Sequence, residues 1–404
     1  MLPKDWTQTR LDSLASVERG KFSARPRNDP KYFGGEVPFV QTGDVANARL
    51  FLDSHSQTLN PLGVTVSKVF GEGTILLTIA ANIGATAITQ SATACPDSVV
   101  GIRPFTGTTD LLWLKYALAN QQKNLDVQAG QNAQKNINLE VLKPLRLATP
   151  PLLEQRLIGE ILSHWDQAIS VTEQLLTNSQ RQLDALLQQL LVRPAARGEW
   201  PTAPIGEISE RVQRRAKEDE ELPVLMISSG TGFVRQDEKY SRFMAGKSVE
   251  NYIALHRGEF AYNKGNSKLY EFGCVFPLLG HKRGLVPHVY VCFKLSASLH
   301  AGFYEHLFRA DYLHDQLGAL VNTGVRNNGL LNIRPADFLA CEVPVPPLGE
   351  QQRIAEILSA ATTWSEQQAR DLDLLKQEKA ALMSQLLTGK RRVKLSEAEM
   401  KAQA

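Results

Sequence analysis

Several ordinary signals are missing from this chain of 404 residues, and each absence removes a class of protein. No apolar run approaches the roughly 18 residues that a membrane-spanning helix needs. The opening MLPKDWTQTR has no apolar signal core. A cytoplasmic protein is therefore expected. Cysteine is scarce: Cys95, Cys274, Cys292 and Cys341 form no CxxC pair, and no histidine stands at zinc-ligand spacing from them. They read as small buried hydrophobes in a reducing compartment, and no metal site is expected. An excess of one charge is missing too. Lys and Arg number 45 against 42 Asp and Glu, a net +3, which permits a nucleic-acid partner without arguing for one.

Catalytic constellations are also absent. AGKSVE contains Gly246-Lys247-Ser248, but Ser241 stands where a phosphate-binding loop needs its first glycine. Pro96-Asp97 has no glutamate after it until Glu140, too far for a metal-dependent nuclease motif. There is no G-x-S-x-G elbow, no glycine-rich loop placed for S-adenosylmethionine, and no Asn/Asp-Pro-Pro-aromatic signature of adenine methyltransferases. No catalytic residue is assigned. A binding or assembly module is expected rather than an enzyme.

What the chain does have is a repeat. PPLLEQRLIGEILS, from Pro150, returns as PPLGEQQRIAEILS from Pro346, with 10 of 14 letters shared and no gap. At the same offset Leu186, Gln189, Leu190 and Leu191 fall on Leu382, Gln385, Leu386 and Leu387. Fainter echoes precede it: VPFVQTG and LPVLMIS, GEGTILL and HRGEFAY, VQAGQNAQKNINL and VNTGVRNNGLLNI. The chain reads as two half-units, each a variable globular segment followed by a similar helical one.

The helical segments carry a near-heptad stripe. In the first it runs through Ile158, Ile161, Trp165, Ala168, Thr172, Leu175, Ser179, Leu183, Leu186 and Leu190. In the second it runs through Ile354, Ile357, Ala361, Trp364, Gln368, Asp371, Leu375, Lys379, Leu382 and Leu386. Each starts after Pro-Pro, where a missing amide costs little, with Glu154 or Glu350 in the first turn facing the positive end of the dipole. The second ends near Thr388-Gly389. Forty residues make a rod of about 60 Å. A lone amphipathic rod leaves its stripe in water, so the two are expected to pack on each other. The packing positions are Ile158, Ile161, Trp165, Leu175, Leu186 and Leu190 against Ile354, Ile357, Trp364, Leu375, Leu382 and Leu386. Trp165 and Trp364 fall opposite Ala361 and Ala168 in the repeat, large against small.

The domain plan is then residues 1–149 globular, 150–195 helical, 196–345 globular, 346–392 helical and 393–404 a tail. The globular parts read as mixed α/β. VPFVQ, TILLTIA, TAITQ, SVVGI, LPVLMIS, HVYVCF and CEVPVP are strand candidates, and TTDLLWLKYALANQQ from Thr108 is a helix candidate. Polar loops carry side chains suited to nucleic acid: Arg and Lys for phosphates and guanine edges, Asn and Gln for adenine edges. In the first half these are Lys21, Arg25, Arg27, Gln41, Asn82, Gln131, Asn132, Gln134 and Lys135. In the second they are Lys264, Asn266, Lys268, His281, Lys282, Arg283, Arg326, Asn327 and Asn328, with Arg211, Arg214 and Arg215 upstream. Taken singly, a polar loop containing glycine is usually just a solvated turn.

The repeated Pro-Pro-x-x-Glu-Gln-x-x-Ile/Leu-x-x-Ile-Leu helix, following two dissimilar domains and closing with LLTGKRR, resembles the specificity subunit of type I restriction–modification systems over essentially the whole chain. The pattern covers Pro151, Glu154, Gln155, Ile158, Ile161 and Leu162, then Pro347, Glu350, Gln351, Ile354, Ile357 and Leu358. The resemblance implies two target recognition domains on an antiparallel helix pair. It also implies double-stranded DNA as ligand, two methyltransferase subunits as partners, and two restriction subunits adding ATP-dependent translocation and cleavage. It implies no cofactor on this chain: the methyltransferase partners hold S-adenosylmethionine, and the restriction partners hold ATP and Mg. The first helix exit, VRPAARGEW, departs from the pattern in lacking TGK. A helical adaptor whose globular parts bind protein is the alternative reading, and an enzyme with an unrecognised site is a third.

Antiparallel similar helices create a pseudo-two-fold axis and so present one surface twice, enough for two copies of a partner. Unlike domains near opposite ends of such a rod would read two different short sites about one DNA turn, roughly 34 Å, apart.

Overall fold

The computed structural model describes residues 2–130, 136–216, 222–239, 251–265, 267–321 and 331–393. They form two compact units, one of residues 1–174 with 369–404 and one of residues 175–368. The division cuts through both long helices, not at the ends of the globular sequence. The reason lies in the cores, since each globular part shares its core with one half of each helix.

In the first unit a four-stranded antiparallel sheet runs in the order Ala15–Arg19, Val99–Pro104, Ile75–Thr78, Thr86–Ile88. All four residues of Ile75–Thr78 are buried, as a central strand covered on both faces requires. A second sheet orders Gln57–Leu59, Phe33–Phe39, Thr93–Cys95 and Lys68–Phe70, with one parallel bridge at Phe39 and Ala94. The strand Thr7–Arg10 pairs with Arg146–Thr149 just before the first long helix. Between the sheets and that helix lies Leu111–Asn120, which Asp110 caps by accepting from Trp113 N.

The second unit has the same central wiring: Ser209–Arg211, Val291–Leu295, Phe260–Asn263, Cys274–Pro277. Thr202–Pro204 pairs with Glu342–Pro344 ahead of the second long helix, in the place of the Thr7–Arg10 pair. The helix Ala301–Arg309 corresponds to Leu111–Asn120. Elsewhere the described residues of the second unit form two two-stranded sheets, Leu225–Ser228 with Gly232–Arg235 and Ile253–His256 with Arg283–Val286, where the first unit has a four-stranded sheet.

The long helices are Leu152–Leu187 and Leu348–Leu386, each beginning directly after its Pro-Pro. The first continues through a π-helical turn, Gln188–Val192, before Arg193–Ala196. They are antiparallel within the first unit, where Asp166 pairs with Lys379 and Glu173 with Lys376. Ile158, Leu162, Leu386 and Leu387 are buried in its one main core. In the second unit Leu183, Leu186, Leu187 and Leu190 pack against the core that buries Ile354 and Leu358.

The buried stripe differs in phase from the one drawn on sequence. Leu175 (46% exposed), Ile357 (37%) and Trp364 (57%) lie on the surface, not in the seam. Ile161, Trp165, Leu375 and Leu382 are half-buried, while Ile158, Ile354 and Leu386 are fully inside. At six positions burial falls one residue later than the stripe, on Leu162, Asp166 and Ile169 of the first helix and Leu358, Ser365 and Leu372 of the second, while Ser179 and Gln368 are buried where the stripe places them. Following the large apolar side chains misplaces the stripe by one residue because the middle of the seam is polar. Asp166 accepts from Lys379 Nζ at 2.7 Å and from Tyr116 OH at 2.6 Å, so a carboxylate takes a place where a leucine is expected.

Candidate nucleic-acid interface

The Glu-Gln pair of the repeated motif builds the joint between each domain and its helix. Gln155 Oε1 accepts from Asp110 N at 2.8 Å, and its Nε2 donates to Pro150 O at 2.9 Å. Gln351 does the same with His300 N at 2.9 Å and Pro346 O at 2.7 Å. Glu154 accepts from the indole of Trp6 at 3.0 Å, and Glu350 from that of Trp200 at 3.2 Å. Gln155 and Gln351 are each 1% exposed, so these hydrogen bonds satisfy side chains that water does not reach. The two joints fill their space in opposite ways. A Cβ on Gly159 would meet Leu112 Cβ at 2.8 Å, whereas in the second unit Ala355 faces Gly302, whose added Cβ would lie 3.4 Å away.

In the first unit the central sheet gathers three of the described candidates, Lys21, Arg27 and Asn82, at one end. Gly20 N donates to Val99 O and Lys21 N to Cys95 O, holding the segment after Arg19 beside Asp97. Arg19 Nε donates to Asp97 O at 2.6 Å, and Arg27 pairs with the Asp97 carboxylate at 3.0 Å. Ile79 N donates to Ser98 O, which brings the next turn to the same end. That turn contains Ala81 and Asn82, both with φ of 48°, a left-handed pair that asparagine tolerates better than most residues. Ile137 N donates to Ile79 O beside it. Gln41 sits where the strand Phe33–Phe39 leaves its sheet; its amide hydrogen-bonds Gln57 Oε1 at 2.9 Å and its backbone N the Asp44 carboxylate at 2.8 Å. Lys21, Arg25, Arg27, Gln41 and Asn82 are all exposed.

In the second unit the candidates divide between the two ends of the sheet. Lys264 follows the strand Phe260–Asn263 and lies near Arg211. Burial, and then the charge of Arg211, hold Lys264 below the ordinary lysine range. Leu331 N donates to Lys264 O, repeating the Ile137–Ile79 bond of the first unit. Lys268 is exposed, beside Leu269. His281, Lys282 and Arg283 belong to the opposite end: Arg257 N donates to Lys282 O and Gly258 N to Leu278 O, both before the strand that Lys264 follows. Arg214 pairs with the buried carboxylate of Glu259, which also accepts from His256 N. Gln131, Asn132, Gln134, Lys135, Asn266, Arg326, Asn327 and Asn328 lie outside the described residues.

Sequence reading missed the helix-seam cluster and the two indole contacts. Trp6 and Trp200 precede the matching strands Thr7–Arg10 and Thr202–Pro204, and that recurrence was available as a signal. Lys115, Tyr116, Asp166 and Lys379 come from segments too far apart to be linked by pattern. Lys115 donates to Arg49 O at 2.8 Å, and burial lowers its pKa to about 8. Burial, then the hydrogen bond to Asp166, push the Tyr116 hydroxyl well up. The second unit puts His306 in the place of Tyr116, bonded to Ser359 Oγ at 2.9 Å, its pKa lowered by burial to about 4.

Among the described residues no group of three or more His, Cys, Asp or Glu could hold a metal ion. No helix among them is long and apolar enough to cross a membrane. The four cysteines are buried and unpaired with one another; burial pushes the thiols of Cys274 and Cys292 up to about 12, that of Cys341 to about 11 and that of Cys95 further.

Residues 3–178 match the family described as "Type I restriction modification DNA specificity domain". Two curated relatives come from Methanocaldococcus jannaschii. The chain is 26% identical over 172 residues to the type I restriction enzyme MjaIX specificity subunit, covering 42% of this chain and 39% of that one. It is 25% identical over 326 residues to the putative MjaX specificity subunit, covering 72% and 71%. The chain thus spans well under half the length of the first relative. Among solved structures, the type I restriction–modification S subunit from M. genitalium aligns with a TM-score of 0.61 at 16% identity over 97% of both chains. A structure titled for complex assembly and conformational transition of the type I system aligns at 0.53, with 15% identity, over 96% of this chain and 99% of that one. At these identities the structures support the fold.

Proposed function

We propose that this chain is a type I restriction–modification specificity subunit, as the family match over residues 3–178 and the curated relatives support, and that it reads a split, asymmetric DNA target through two unlike domains. It does so without catalysing a reaction itself. The observation that carries this is the duplicated joint. Trp, Glu and Gln occupy matching positions in both units. They attach a globular domain to the start of a long helix twice over, while the loops those domains present differ. A scaffold built twice with different loops suits two different sequences at a fixed separation. The cations and amides near the strand ends, Lys21, Arg27, Gln41 and Asn82 in one unit and Arg211, Lys264 and Lys268 in the other, offer phosphate contacts and base-edge readout.

The partners are two methyltransferase subunits, which hold S-adenosylmethionine and receive the adenine flipped from the duplex. Restriction subunits using ATP and Mg join that complex, in the cytoplasm. Exchanging residues 1–149 for the matching segment of another family member tests the assignment. One half-site changes and the other stays; a change in both, or in neither, contradicts it. A salt titration separates DNA reading from a protein adaptor. Binding through several phosphates weakens steeply as salt rises, and salt-insensitive binding favours the adaptor.

A further inference from the structure

The second unit passes from the first long helix into its globular domain along one continuous segment. The segment turns at Gly198, with φ of 65°, and reaches Trp200, whose indole meets Glu350. The first unit makes the same passage from two segments remote in sequence. The second long helix ends and turns at Gly389, with φ of 71°, while Trp6 brings the strand Thr7–Arg10 to Glu154. A Cβ added to Gly389 would lie 2.6 Å from Pro3 Cδ, so the two segments touch.

Arg392 joins them. Its Nε donates to Glu154 Oε1 at 2.7 Å and its Nη2 to Glu154 Oε2 at 2.9 Å. Its Nη1 and Nη2 donate to the two Asp5 oxygens at 2.9 and 2.7 Å, across 387 positions of sequence. The guanidinium lies 6.0 Å from the centre of the Trp6 ring. The Glu154 side chain is 3% exposed, so these donors stand in for the water that does not reach it. Glu350 is only half-buried, and at the repeat offset Ala196 stands where Arg392 does. The arginine is present where the peptide link is not.

We propose that Arg392 is a positioning residue for DNA reading, fixing the N-terminal domain to the end of the second long helix in place of a covalent connection. This rests on the DNA-reading assignment above. The half-site read by residues 1–149 then depends on a fork of ion-paired hydrogen bonds, and the other half-site on an unbroken backbone.

The test uses the full chain and three duplexes: the cognate target, and the target scrambled in one or the other half-site. Half-site one is the one that changes when residues 1–149 are exchanged. Arg392→Ala lowers discrimination at half-site one by on the order of tenfold, the lower end of the scale of charge-assisted hydrogen bonds, and leaves half-site two unchanged. It also raises tolerance of a spacer altered by about one base pair, and Arg392→Lys, which keeps the charge without the fork, falls between. Equal losses at both half-sites would mark a merely structural role and overturn the proposal, as would wild-type values at both. Should Arg392→Ala fail to fold, Arg392→Lys and Asp5→Asn read the same ratio. A wild-type chain that discriminates at neither half-site sinks the DNA-reading assignment instead.

Discussion

Asp166 is a buried carboxylate at a helix-seam position, held by Lys379 and Tyr116, with Lys115 near enough to feel its charge. Asp166→Ala leaves cationic groups without their counter-charge in a closed space. It is expected to destabilise the fold by about 3–5 kcal/mol, measured by urea unfolding. Lys115 has a pH signature. Its folded pKa of about 8 lies below the usual 10.5, so the folded state sheds that proton first. The unfolded chain binds more protons between those values, and the Lys115 contribution to stability rises across that window. Below pH 8 the penalty is constant, on the order of 3 kcal/mol. Burial of Tyr116 and the thiols acts the other way, since their raised pKa values cost stability as they ionise in the unfolded chain. The difference between wild type and Lys115→Met isolates the lysine: the gap should shift in favour of wild type from pH 8 to 10. A gap that stays constant with pH contradicts this account of Lys115.

At the scale of elements, the phase of the helix pair is the clearest divergence from sequence. The repeat itself, its start after Pro-Pro and the strands around TILLTIA, TAITQ and HVYVCF were legible, because periodicity and apolar runs encode them locally. The phase was not, because a large side chain signals burial only when the seam is apolar throughout. Here Ser365, Gln368 and Asp166 occupy it and Trp364 faces outward. Leu358→Ala is expected to cost about 2–5 kcal/mol and Trp364→Ser under about 0.5 kcal/mol, read from denaturant midpoints. Comparable losses from both would restore the stripe drawn on sequence. The first helix exit shows a milder divergence. Without a TGK it still turns through a left-handed glycine, Gly198, as Gly389 does at the second exit.

For the molecule as a whole, duplication is what the sequence states most openly, and recognition chemistry is what it states least. The joints recur because each globular domain must be attached in the same way, so Glu154, Gln155, Glu350 and Gln351 repeat as letters. The loops need not recur. Their side chains come together only through the sheets, which place Lys21, Arg27 and Asn82 at one strand end but separate Lys264 from His281, Lys282 and Arg283. A list of basic and amide residues could not anticipate that separation.

The central claim is that two unlike domains on one duplicated scaffold read one divided target. The most direct measurement is to map methylated adenines after reconstituting the chain with the methyltransferase subunits proposed as its partners on genomic DNA. A single motif is expected, with two different defined halves separated by unread bases. An uninterrupted motif, two identical halves, or methylation without sequence preference would contradict the account.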